Sequence, residues 1–211
     1  MAQMTPQQSL PGTAWRAARR PASRRPTRHH GGPVSDDVVR LRPVEEHDLE
    51  LLGRIDTDPA MSEPFEWKGF RDPRARRRRW EEDGYLGAED SLLIVGLPDG
   101  TFAGIVVWKW LTMSGPRGCL QIGILLLPQH RGRGLGAPAQ RVLADYLFST
   151  TVANRLEATT EVDNVAEQRA LERAGFVREG VLRGRGFVRG QWRDGVMYAR
   201  LRDDPAPPGR D

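Results

Sequence analysis

The chain has 211 residues, enough for one ordinary domain of roughly 100 to 200 residues with a few dozen to spare. Hydrophobic residues make up 38%, which excludes wholesale disorder; no run approaches the ~18 apolar residues of a membrane-spanning helix, and a lone Cys119 excludes an internal disulfide. The formal charge of +4 conceals an imbalance, because residues 1–34 hold six arginines and no acid and the remainder sums to −2, so basicity alone does not argue for nucleic acid.

In chain order, residues 1–34 are rich in Pro, Arg, Gln and Gly, lack an apolar period and read as a disordered extension, one that also suits a start upstream of the true one. Their prolines break the amphipathic helix of a transit peptide, and they lack the apolar core of a secretory signal. A single domain is expected over 35–204, with a polar tail at 205–211. Residues 38–44 read as a strand, and Leu49, Leu52 and Ile55 set a helix over 45–55. Residues 56–70 are aromatic-rich and irregular. A second helix over 73–83 carries Arg74, Arg76, Arg77, Arg78 and Arg79, read as a solvated face balanced by Glu81, Glu82 and Asp83. A nucleic-acid surface is the competing reading of that helix.

Strands over 91–97 and 101–110 flank Pro98-Asp99-Gly100, a hairpin signal. Residues 119–127 end in an apolar run, as a central strand covered on both faces would. A helix over 135–148 places Ala139, Val142, Leu143, Tyr146 and Leu147 on one face, which assigns Tyr146 to the core. After a strand over 155–161, Asn164 and Glu167 form a capping box for a helix that ends at Gly175. Two closing strands, 177–189 and 196–202, are separated by a loop over 190–195. The order β α α β β β α β α β β describes one α/β or α+β domain on a mixed sheet.

The densest chemical signal joins the apolar strand to the following helix: Leu125, Leu126, Leu127, Pro128, Gln129, His130, Arg131, Gly132, Arg133, Gly134, Leu135, Gly136. Glycines at 132, 134 and 136 let successive N–H groups curl around an anion, the helix N-terminus adds its dipole, and Arg131 and Arg133 add charge. A dinucleotide fingerprint is formally satisfied by Gly132, Gly134 and Ala137, but four strands precede it and only about 75 residues follow. The Walker pattern fails because no Gly-Lys-Ser/Thr follows. Cys119 has no plausible His partner, and four dispersed histidines make no metal site.

Gln129-x-x-Gly132-x-Gly134 resembles the Q/R-x-x-G-x-G/A signature of the GNAT family of N-acetyltransferases. The run from Asn154 to Ala158, then Asp163 to Ala166, Ala170 to Phe176 and Gly190 to Leu201 is similar to the RimJ/RimL branch, which acetylates N-terminal α-amines or, in relatives, small amines. The resemblance spans about 38–203 and implies the GNAT fold, with the strands ending at Leu127 and starting at Arg155 splayed apart. It implies acetyl-CoA as co-substrate and no metal, held by the loop, by backbone around Leu125 to Leu127 and by Asn164, for which a helix-cap role is equally sufficient. Composition reads as that of a cytoplasmic protein without membrane association, and the near-absence of lysine, only Lys68 and Lys109, as a GC-rich bacterial genome; homodimerisation stays open.

Direct attack needs a neutral amine. At pH 7 deprotonation costs about 1 kcal/mol for an α-amine and about 4.6 for a lysine. Glu161 and Glu157 are the candidate bases. Glu167 and Gln168 stand where relatives often carry a Ser or Tyr that protonates the sulfur, so the acid has no candidate, and an acyl-CoA-binding module without turnover is the alternative. By the family's geometry Phe65, Glu66, Trp67, Phe70 and Trp192 would line the acceptor pocket, with Glu63 and Glu66 favouring a cationic amine.

Overall fold

A seven-stranded mixed sheet forms from β1 (Arg40–Arg42), β2 (Asp90–Gly96), β3 (Phe102–Trp110), β4 (Cys119–Leu126), β5 (Arg155–Glu161), β6 (Val177–Val188) and β7 (Gln191–Leu201), in the order β1-β2-β3-β4-β5-β7-β6, with β2 buried along nearly its whole length as a strand covered on both faces. All neighbours are antiparallel except β4 and β5. This is a computed structural model, and it describes residues 36–62, 64, 65, 67, 69–111, 118–188 and 190–205, all within the unit Pro33–Asp211. The expected extension 1–34 therefore lies outside the described residues.

The sheet separates two apolar layers. Alternation along β2 sends Leu93 and Val95 to one and Leu92 and Ile94 to the other. Ala139, Val142, Leu143 and Leu147 of α4 (Gly136–Thr150), together with Leu171 of α5 (Val165–Arg173), fill the first layer. Leu49, Leu52 and Ile55 of α1 (Leu49–Thr57) fill the second, with Met61 of the short α2 (Pro59–Ser62). α3 (Ala75–Asp83) buries no residue completely; Trp80 packs on the second layer and donates to Val44 O at 3.2 Å, and ion pairs hold the rest. Tyr146 packs edge-on against Trp108, centroids 5.9 Å apart, in the core role its spacing predicts. No helix among the described residues is long and apolar enough to cross a membrane.

Two segments differ from the sequence reading. The irregular stretch contains the turn of helix α2. The expected loop over 190–195 is strand: β6 and β7 pair as far as Val188↔Gln191, with Gly190 at φ 76° in the turn. The glycines and charges there suggested a loop, but cross-strand contacts hold the ribbon. Phe187 meets Trp192 edge-on at 5.4 Å, and Asp194 Oδ1 accepts the Gly184 N–H.

The arginine run of α3 is paired residue by residue. Arg76 binds Asp56 through Nε and Nη2 at 2.6 and 2.9 Å, Arg77 binds Glu46, Arg78 binds Asp72, and Arg79 binds Asp83 and Asp90. Most of these partners lie outside α3, rather than in the Glu81-Glu82-Asp83 segment alone.

Candidate active site

β4 and β5 are paired only at Cys119↔Arg155, Leu120↔Leu156 and Gln121↔Glu157, after which both strands continue without each other. Hydrogen-bond parity identifies the groups that face the opening. Leu127 N–H donates to Ala103 O at 2.9 Å, and Leu111 N–H to Cys119 O at 3.0 Å. The register between them is unbroken, so odd residues of β4 bond β3 while Ile122, Ile124 and Leu126 turn N–H and C=O toward β5. On β5, Val162 N–H bonds Asp194 O and Arg155 N–H bonds Gly118 O, so Thr159 and Glu161 face back. Of the backbone expected to hold the cofactor at Leu125, Leu126 and Leu127, residues Leu125 and Leu127 bond β3 and only Leu126 turns toward the opening, with Ile124 two residues before it. The Leu127 side chain is fully buried.

The open β4 edge runs into the glycine loop. Gly132 and Gly134 have φ of 69° and 74° with open space around them, so glycine serves the left-handed backbone there. Among the described residues, the N–H groups of Gly132, Arg133, Gly134 and Leu135 donate no hydrogen bond, and α4 begins directly behind them. Gln129 and Arg133 are exposed, whereas His130 and Leu135 are buried, His130 Nδ1 lying 3.1 Å from Arg133 Nη1. Gly136 has a different cause from the one expected: a Cβ would meet the Ala170 Cβ at 3.2 Å, so this glycine lets α4 approach α5.

Arg131 also differs. Its guanidinium turns inward, with Nε donating to Leu126 O at 2.9 Å and Nη2 to Met61 O at 2.8 Å. Burial lowers its pKa from the usual value, yet an arginine stays charged. The side chain fastens the end of β4 to α2, leaving Arg133 as the outward cation.

On the face of α1 and α3, a cleft of about 760 Å³ opens beside the β4–β5 gap. Gln121, Ile122, Thr159, Thr160 and Glu161 form its floor, and Phe65 is the predicted aromatic that reaches it. Trp67 and Phe70 pack edge-on against each other at 5.3 Å outside the lining, with Phe70 79% exposed. Trp192 is 70% exposed at the hairpin end, away from the lining. The expectation that Trp67, Phe70 and Trp192 line the pocket is corrected: Trp67 and Phe70 contact each other instead, and the pairing of β6 with β7 carries Trp192 to the hairpin end. Glu63 and Glu66 lie outside the described residues.

The two candidate bases separate. Glu161 lines the cleft. Glu157 does not, and its carboxylate accepts from Arg155 Nε at 2.7 Å while Arg155 also holds Glu179. Glu157 is thus tied into an ion pair on the sheet and is not presented to the cleft. Asn164 accepts the Glu167 N–H at 3.3 Å, the helix-cap role. Gln168 Nε2 donates to the carbonyls of Glu161 and Val162, tying down the end of β5. Cys119 is buried, and burial with the nearby Glu157 charge pushes its thiol up to about 11, so it offers no nucleophile at neutral pH. Among the described residues no cluster of His, Cys, Asp or Glu has the geometry of a metal site. Sequence reading missed Ile124, whose role depends on register, and the cations Arg71, Lys109 and Arg185 of the cleft wall.

Residues 39–177 match the family model described as an acetyltransferase (GNAT) domain. The chain belongs to this family. It is an acetyl-CoA-dependent N-acetyltransferase. It is 37% identical over 91 residues to a probable N-acetyltransferase, YjcK, of Bacillus subtilis strain 168, a match covering 42% of this chain and half of that protein's length. It is 25% identical over 160 residues to the spermidine N(1)-acetyltransferase of Escherichia coli K12, covering 75% of this acetyltransferase and 83% of that one. Among solved structures, the spermidine N-acetyltransferase of Vibrio cholerae, in complex with CoA and spermine, superimposes with a TM-score of 0.70 at 18% identity, covering 80% and 98% of the two chains, which shows a shared fold.

Proposed function

We propose that this acetyltransferase is a cytoplasmic enzyme of the RimJ/RimL type that transfers acetyl from acetyl-CoA to a primary amine by direct attack in a ternary complex. The observation that carries the reading is the break after Gln121↔Glu157, where an unpaired β4 edge leads into a loop of unbonded amides. The amides of Gly132, Arg133, Gly134 and Leu135, with those in the first turn of α4 at Gly136, suit a pyrophosphate, and Arg133 adds charge. Ile124 offers its N–H and C=O, and Leu126 its N–H, to an extended amide-bearing arm as a neighbouring strand would, the Leu126 carbonyl being held by Arg131. The Ile124 N–H, fixed by the register, polarises the thioester carbonyl without reorganising during the reaction.

The amine arrives from the cleft. Glu161 accepts its proton directly or through water, and no side chain is assigned as the acid that meets the departing thiolate. An α-amine or similarly weak base suits a site with one candidate base better than a lysine does. The test follows free thiol release from acetyl-CoA with peptides, amino acids and polyamines as acceptors. Turnover with at least one primary amine is expected; CoA binding without thiol release from any acceptor would identify a binding module instead.

A further inference from the structure

We infer that the acceptor of this enzyme carries its own carboxylate close to the reactive amine, and that Arg71, Lys109 and Arg185 select it. The inference rests on the transferase reading and concerns which amine enters the same cleft. Charge pairing around the wall supplies the argument. Arg76 is neutralised by Asp56, and Arg79 by Asp83 and Asp90. Arg71, Lys109 and Arg185 also line the cleft, and among the described residues none of them has a carboxylate within ion-pair distance. They come from three separate places, the segment before α3, β3 and β6, and border the same cleft.

Besides the paired Asp56 and Asp90, two further acids line the cleft. Asp194 is engaged with the Gly184 N–H, and Glu161 sits at the floor beside the opening. Arg185 is directed inward by the shape of the sheet: its Cβ and Cγ lie over Gly195, within 3.2 Å of where a Cβ would stand, beside the Thr159 methyl. Only a glycine at 195 leaves the arginine stem this path across β7 toward β5.

This arrangement acts on the amine in two ways. A carboxylate of the acceptor finds up to three cations on the wall, which positions the amine toward Glu161 and the β4–β5 gap. The same cations disfavour an ammonium and lower the pKa of the bound amine, supplying part of the deprotonation that one carboxylate must otherwise provide. A polyamine, with several ammonium groups and no anion, meets repulsion at the same places. The acceptor is thus a primary amine with an acidic group, either an acidic amino acid or a peptide N-terminus followed by Asp or Glu.

The 211-residue protein is assayed for thiol release at saturating acetyl-CoA with four acceptors: a peptide with Asp and Glu at its second and third positions, its twin with Lys there, free glutamate, and spermidine. The acidic peptide is expected to exceed its lysine twin roughly tenfold in kcat/KM, a ratio three exposed charge contacts can supply. The preference should shrink as salt rises and reverse in the exposed double variant Lys109→Glu/Arg185→Glu. Glutamate turning over as well as the peptide assigns the anion site to amino acids; peptide turnover alone assigns it to protein N-termini. Turnover favouring spermidine or the lysine peptide overturns the inference and leaves the transferase intact. No thiol release from any of the four overturns the inference, and none from the wider panel of peptides, amino acids and polyamines overturns the transferase reading as well.

Discussion

Asp56 and Arg76 hold α1 against α3 with exposures of 8% and 16%, enclosed enough for the loss of one partner to strand the other. Burial would lower the arginine's pKa, but the hydrogen bonds and charge of Asp56 raise it overall. Asp56→Ala is expected to lower the unfolding free energy by about 3 kcal/mol in urea titrations at pH 7, leaving a guanidinium under the Tyr85 ring without its counter-charge. Cys119 gives a prediction with a pH sign. Its folded-state pKa of about 11 exceeds the ordinary 9.0, so the unfolded thiol ionises first and this group's contribution to stability is lost as pH rises from 9.0 to about 11. Disulfide-exchange reagents at pH 8 should label it only as fast as the fold opens; rapid labelling of native protein would contradict its burial. At this scale the sequence showed the glycines but not the directions of charges. Arg131 looked like an anion ligand because its neighbours in sequence form the loop, and one of its partners, Met61 O, stands seventy residues away.

Helix α4 ends against an arginine from the far end of the chain. Arg202 donates to Phe148 O, Thr151 O and Ala153 O and lies over the Phe148 ring, satisfying carbonyls that the helix geometry leaves open. Arg202→Ala is expected to cost about 2 kcal/mol, read as a lower Tm with KM for acetyl-CoA unchanged, since the opposite end of α4 holds the loop. Gly134→Ala works the other way. The left-handed backbone costs alanine about 1 to 2 kcal/mol, which should appear as roughly a tenfold higher KM for acetyl-CoA with little change in Tm if the loop relaxes to avoid the strain. Most elements were legible because period and caps agreed, as in α5, where Asn164 marks the start that the structure shows. The β6–β7 ribbon was not, because its glycines resemble loop residues and the pairing that keeps it extended is visible only across the two strands. The parity of β4 was equally hidden: alternation assigns side chains to faces, but which edge a backbone amide serves depends on the neighbouring strand.

Across the whole molecule, every group proposed to act lies between Arg71 and Gly195, while residues 1–34 carry a charge of +6. A variant lacking residues 1–34 should keep its thiol-release rate within about twofold. It should also leave heparin at low salt, because the α3 arginines already have carboxylate partners. Loss of turnover in a folded truncated protein would place part of the machinery in those residues. The order of strands and helices was readable from one sequence, but the gap between β4 and β5 came only from family resemblance, since two parallel strands that part company have the same composition as two that do not. That gap gives this sheet four edges instead of two, the outer pair at β1 and β6 and an inner pair facing each other. Exposed edges invite foreign strands, but the inner pair converges within three residue pairs and leaves no passage for a continuous chain. The protein can thus keep a sticky backbone edge in its interior and remain open only to a guest that is narrow, extended and tapered at one end. Hydrogen exchange at the Ile124 amide should slow sharply when such a guest is added, and at Ile105, already bonded within the sheet, it should not.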